Sequence, residues 1–161
     1  MVPSSDPEVA PPSTGIDGEK PSGLAQRFVA FAGSGDPGLA DELFTEDFVA
    51  HTVFGPMRGA RTYAQMVALF PQAFPDAQLT LLQAVTTATF QVVRFRTMGT
   101  HTGEGLPGVG PTGQRLHMIE THVQRLHDGR IRADYVSQGN FNLARLLFGL
   151  PLDEHDPTLE S

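Results

Sequence analysis

Leu116-His117-Met118-Ile119-Glu120-Thr121-His122-Val123-Gln124-Arg125-Leu126 runs into His127-Asp128-Gly129-Arg130 and then into Ile131-Arg132-Ala133-Asp134-Tyr135-Val136-Ser137. In the two flanking runs side chains alternate between two faces, the period of a strand. Asp-Gly between them is a strong hairpin signal, because these residues accept the positive φ of a tight turn. The segment reads as two antiparallel strands. Leu79 to Val85 and Phe90 to Met98 show the same period of two and extend the sheet upstream.

Ahead of the strands the period is helical. Leu24, Phe28 and Phe31 share a helical face, with Gly33 as the stop. Asp36-Pro37 opens a second short helix, Asp36 as N-cap and Pro37 as the first residue, carrying Leu39, Leu43 and Phe44. Thr45 to His51 forms a turn entering a short extended piece. A third helix spans Ala60 to Phe74, with Tyr63, Met66, Val67, Phe70 and Phe74 at helical spacing and Pro71 bending it or ending its regular part. Asn140 to Leu150 forms a last short helix. Helices first and a mainly antiparallel sheet after them give one α+β domain over residues 23–152. Residues 1–22 contain Pro3, Pro7, Pro11, Pro12 and Pro21 and no aromatic residue. They read as a disordered tail without a signal-peptide core. Residues 153–161 read as a flexible acidic tail.

The length of 161 residues suits a single domain. With 11 Lys+Arg against 18 Asp+Glu, the net charge is −7. That balance argues against nucleic acid, whose phosphates need clustered cations, and against docking on anionic lipid. No stretch approaches the roughly 20 apolar residues of a membrane helix. The absence of Cys excludes disulfide scaffolds, thiolate zinc sites and cysteine nucleophiles, and fits a cytoplasmic protein. The 11 Phe residues are the material of the core.

Glu120 and His122 lie two residues apart and project to the same side of their strand as Met118. Asp134 sits on the return strand with Arg132 and Val136. If the faces match across the hairpin, Asp134, His122 and Glu120 meet, and a carboxylate beside an imidazole is the usual unit of proton transfer. An ordinary solvent-facing strand has the same pattern, and periodicity does not separate the two. A metal reading is weaker, since Glu120-x-His122 is a poor ligand spacing by itself. His51 and His101, each in isolation, read as hydrogen-bonded structural histidines. Gly103 to Gly113 lacks the Gly-Lys-Ser/Thr ending of a phosphate loop and reads as a flexible lid or long connection.

Phe74-Pro75-Asp76, Gly99-Thr100-His101-Thr102-Gly103-Glu104, Pro111-Thr112-Gly113, Arg125 and Asp128-Gly129-Arg130-Ile131 occur in order, preceded by Phe48-Val49-Ala50-His51. Together they resemble the SnoaL-like polyketide cyclase family over about residues 24–151. The resemblance implies the cone-shaped α+β barrel of the nuclear-transport-factor-two-like superfamily, a curved, mainly antiparallel sheet wrapped around helices and an apolar pocket. It also implies a homo-oligomer, dimer or tetramer, pairing through the sheet. The implied activity is cofactor-independent and metal-free, an intramolecular aldol-type ring closure on a hydrophobic, polyketide-like molecule.

Carried over residue by residue, the family's pocket histidine falls on His122. A polar residue that is often Gln in the family falls on Glu120, and the catalytic Asp falls on Val136. Asp134, two residues earlier, is the acid this chain offers instead, as general base or acid with His122 as its partner. His51 and His101 are then expected at the pocket mouth, and Phe54, Phe70, Phe74, Phe95, Met98, Met118 and Tyr135 in its wall. Val136 in the acid position favours a second reading, a non-catalytic small-molecule binding protein on the same fold. A third, an oligomerisation module without ligand, would have its pocket filled by its own Phe side chains.

Overall fold

The computed structural model describes residues 23–138 and 141–153, so both expected tails, apart from Asp153, and the start of the last helix at Asn140 lie outside the described residues. Helix α1 (Gly23–Ser34) buries Ala25, Phe28 and Phe31 at three-residue intervals along one face. It runs past the expected stop at Gly33 and ends at Gly35, whose amide donates to the Phe31 carbonyl at 2.7 Å with φ of +64°. Gly35 is the residue that can take this left-handed helix end. A Cβ there would lie 2.3 Å from the Ala68 backbone nitrogen. Gly35→Ala therefore combines a disfavoured φ with a backbone clash, and we expect a loss of about 2 kcal/mol or more in a urea unfolding curve. A change under about 0.5 kcal/mol contradicts this.

Helix α2 (Pro37–Leu43) begins as the sequence indicates, with Pro37 as its first residue and the Asp36 Oδ1 accepting the Leu39 amide at 2.9 Å. Strand β1 (Phe44–Thr52) pairs with β2 (Gly55–Arg58), a four-residue strand that the sequence reading omits and that is too short to show a period. The expected third helix is two, α3 (Ala60–Val67) and α4 (Leu69–Ala73), broken at Ala68. Pro71 accounts for the position of the break. It has no amide to offer the Val67 carbonyl, and its ring crowds that carbonyl four residues back.

Strands β3 (Gln78–Thr86), β4 (Phe90–Thr100), β5 (Arg115–His127) and β6 (Arg130–Gln138) extend each expected strand by one or two residues at its ends, and α5 (Asn142–Leu147) follows. The β5–β6 turn has Asp128 at φ 49° and Gly129 at φ 74°, the two positive angles of a type I′ hairpin. The sheet order is β2-β1-β6-β5-β4-β3, with β1 and β6 parallel and the other neighbours antiparallel. The sheet curls around the helices as a cone that stays open, with β2 and β3 as its edges. Phe28, Phe31, Phe44, Phe48 and Phe95 are fully buried between helices and sheet. Their burial is the hydrophobic term that holds the cone in place.

Candidate active site

On β5 the even-numbered residues point inward, so Met118, Glu120, His122 and Gln124 face the interior of the cone. On β6 the register places Asp134 opposite Gln124, Val136 opposite His122 and Gln138 opposite Glu120. Asp134 reaches this face by a local irregularity. The pairing shifts between Arg125 and Leu126, where Leu126 faces Ile131 and Arg125 faces Ala133. Arg132 is the extra residue of that bulge, so it turns outward to Asp47 at 2.9 Å and does not share a face with Asp134 as simple alternation predicts.

Asp134 is fully buried. Its Oδ2 lies 2.9 Å and its Oδ1 3.1 Å from His122 Nδ1, and the Tyr63 hydroxyl of α3 donates to Oδ2 at 3.2 Å. Tyr63 is held by the rings of Phe31, Phe44 and Phe48, at centroid distances of 5.6, 5.8 and 5.5 Å. The His122 ring stacks on Phe95 at 5.3 Å and meets the edge of Phe28 at 4.9 Å. With Nδ1 on Asp134, the buried Nε2 has no hydrogen-bond partner among the described residues and is the nitrogen left for a ligand. Gln138 Nε2 donates to Glu120 Oε1 at 3.3 Å.

These contacts set the charges. Burial pushes the Glu120 carboxyl above its ordinary range, against the pull of His122 and Gln138. Burial works against a charged His122, but Asp134 and then Glu120 outweigh it, and the imidazole's pKa is raised. Burial, followed by the Asp134 and Glu120 charges, holds the Tyr63 phenol well above its ordinary value, so it stays a proton donor.

A cavity of about 600 Å³ opens in front of this group. Tyr63, Thr97, Glu120, His122 and Gln138 give it a polar side, and Phe54, Met66, Phe70, Leu79, Met118 and Phe148 are among its apolar walls. Among the described residues its lining contains no Lys or Arg, and Glu120 is its only carboxyl.

The SnoaL-like polyketide cyclase model matches residues 23–139 of this chain. The chain belongs to the SnoaL-like polyketide cyclase family. Solved structures agree on the fold. A protein described as a SnoaL-like polyketide cyclase by proposal, from Jannaschia sp. CCS1, is 19% identical with a TM-score of 0.66, covering 83% of this chain and 100% of its own. TsrD from Streptomyces laurentii is 21% identical with a TM-score of 0.66, over 79% and 93%. IdmH from Streptomyces antibioticus, a proposed polyketide cyclase, is 25% identical with a TM-score of 0.62, over 82% and 100%. No curated protein sequence matches the chain. Among the described residues no helix is long and apolar enough to cross a membrane.

Within this SnoaL-like frame the structure brings together Asp134, His122 and Glu120, and it lines the cavity with Phe54, Phe70, Phe95 and Met118. Five other expected residues are not in the lining. Met98 is three residues from Phe95, an odd offset, and sits on the opposite face of β4 with Arg94 and Arg96. Tyr135 adjoins Asp134 and for the same reason faces outward, where His51 stacks on it at 4.5 Å. Phe74 is fully buried behind Phe70, ring to ring at 4.7 Å. His101 lies against Phe74 at 5.2 Å, and its Nδ1 accepts the Thr112 amide at 3.3 Å. It therefore fastens the 101–114 connection and stays out of the cavity. Tyr63, Thr97 and Gln138 were missed. Thr97 and Gln138 follow from continuing the alternation past Phe95 and Val136, whereas Tyr63 read only as one of several apolar residues of its helix.

Proposed function

We propose that this SnoaL-like protein catalyses an intramolecular aldol-type ring closure on a neutral, hydrophobic, polyketide-like substrate, using acid–base chemistry by Asp134, His122 and Glu120 without cofactor or metal. The observation that carries the reading is an imidazole tied to a buried carboxylate, with a second carboxyl two residues away, beside an otherwise apolar cavity. Such a cavity excludes water from a forming enolate and strengthens each hydrogen bond made to it. Among the described residues the lining has no Lys or Arg, and its one cationic group, His122, is already paired with Asp134 and shares the cavity with Glu120, so an ester is preferred over the free acid. The cytoplasm fits the Cys-free chain. A homo-oligomer fits the exposed Phe90, Val123 and Tyr135 on the outer face of the sheet.

The test is ring closure of an aromatic polyketide ester that carries a second carbonyl, followed by absorbance and product mass. Turnover above the uncatalysed rate is expected. Exhaustive chelation is expected to leave it unchanged, because among the described residues the lining offers only Glu120 and His122 as ligand-type residues, fewer than the three of a catalytic zinc site. Activity lost with a stoichiometric metal contradicts the metal-free chemistry. Tight binding with no turnover selects the non-catalytic binding reading that Val136 favours.

A further inference from the structure

We propose that Glu120 is the general base that meets the substrate, and that Asp134 and Tyr63 are positioning residues acting through His122. This assignment rests on reading the cavity as an acid–base site. Glu120 is the only carboxyl in the described lining, whereas Asp134 is fully buried, absent from that lining, and committed through both oxygens to His122 and Tyr63. A group with no free face cannot take a proton from carbon. Glu120 is partly exposed, and the cavity supplies that exposure. Gln138 Nε2 donates to its Oε1 and fixes one oxygen, leaving the other for substrate.

The register explains how the acid can reside on β5. Val136 and Glu120 occupy diagonal positions across the β5–β6 pair on one face, and both line the cavity. A carboxyl at Glu120 therefore serves the space in front of Val136, the position where the family resemblance expected an Asp. Glu120 and His122 are about 7 Å apart along the strand, a span that fits a Cα–H and the oxygen of its neighbouring carbonyl. Of the described lining residues only Tyr63, Glu120 and His122 titrate, and the other walls bring no charge.

The step balances without a co-reactant. Glu120 takes the proton from the substrate carbon next to the carbonyl, and that C–H electron pair becomes the enolate. The enolate oxygen accepts the Nε2–H of His122, whose positive charge Asp134 holds. The enolate carbon then bonds to the second carbonyl carbon of the same molecule, and the resulting alkoxide takes the proton back from Glu120.

Solvent-deuterium exchange into the benzylic methylene of 2-naphthylacetone isolates the first step, because this neutral ketone has no second carbonyl and cannot cyclise. The wild-type protein is expected to exchange with a bell-shaped pH profile. Glu120→Gln should slow exchange about 10²–10⁴-fold and abolish the acidic limb, with the ketone's Kd within threefold. Glu120→Asp, which pulls the acid back by one methylene, should keep that limb at a reduced rate. Asp134→Asn should keep the acidic limb and move the basic limb, which reports His122, to lower pH. No exchange by the wild type, an acidic limb surviving in Glu120→Gln, or its loss in Asp134→Asn overturns the assignment. Exchange without ring closure in the earlier assay overturns the cyclase reading and leaves the base in place.

Discussion

Asp134→Ala is expected to lower the stability of the folded protein by about 3–5 kcal/mol, the range for removing one partner of a buried ion pair. The carboxylate is fully buried and receives His122 Nδ1 at 2.9 Å and the Tyr63 hydroxyl at 3.2 Å. Its loss leaves two buried donors unpaired and a histidine that must give up its charge to stay buried. The deficit carries a pH signature. Because Asp134 and Glu120 raise the folded-state pKa of His122, the stability from this pair is complete below the ordinary histidine value of about 6.5. It fades as pH climbs through the raised value. The gap between wild type and variant in urea unfolding should thus be wider at pH 6 than at pH 8.5. A gap below about 1 kcal/mol, or one equal at both pH values, contradicts a charged pair.

His122→Gln should cut ring closure about 10²–10³-fold, the range for losing one preorganised donor to a forming oxyanion. Glutamine retains a neutral N–H but no positive charge, and it gives up the stack on Phe95 at 5.3 Å that fixes the ring. Because glutamine does not titrate, the basic limb of the kcat profile should vanish with the rate. Retention of that limb in His122→Gln would mean that another group controls it. Loss confined to KM, with kcat unchanged, would make His122 a binding residue only.

The two variants probe one arrangement in which burial divides the work. Asp134, engaged on both oxygens, stabilises charge and orientation, and Glu120, with one oxygen on Gln138, keeps a face toward the cavity. With Val136 in the lining and Asp134 behind it, β6 presents no carboxyl to the cavity among the described residues, and Glu120 lies diagonally across the strand pair from Val136.

The hairpin was legible in the sequence because Asp128-Gly129 admits few conformations and sits between two runs of period two, and the Asp36-Pro37 helix start was legible because a cap is a local hydrogen bond. Parity placed Glu120 and His122 on one face of their strand, and the fold made that face the inner one. Parity also separates Met98 from Phe95 and Tyr135 from Asp134, since odd offsets on a strand point to opposite faces whatever the apolarity of the side chain. Beyond the reach of any local pattern were the bulge at Arg132 that turns Asp134 inward, the Tyr63 hydroxyl 71 residues away in sequence from its carboxylate, and the choice between Asp134 and Glu120 as the acid that sees the cavity. Local sequence sets φ, ψ and the side a residue faces, since those depend on a few neighbouring atoms. Which buried groups share a proton depends on strand register and on how a helix closes over the sheet, and both are fixed by long-range packing of Phe28, Phe31, Phe44, Phe48 and Phe95.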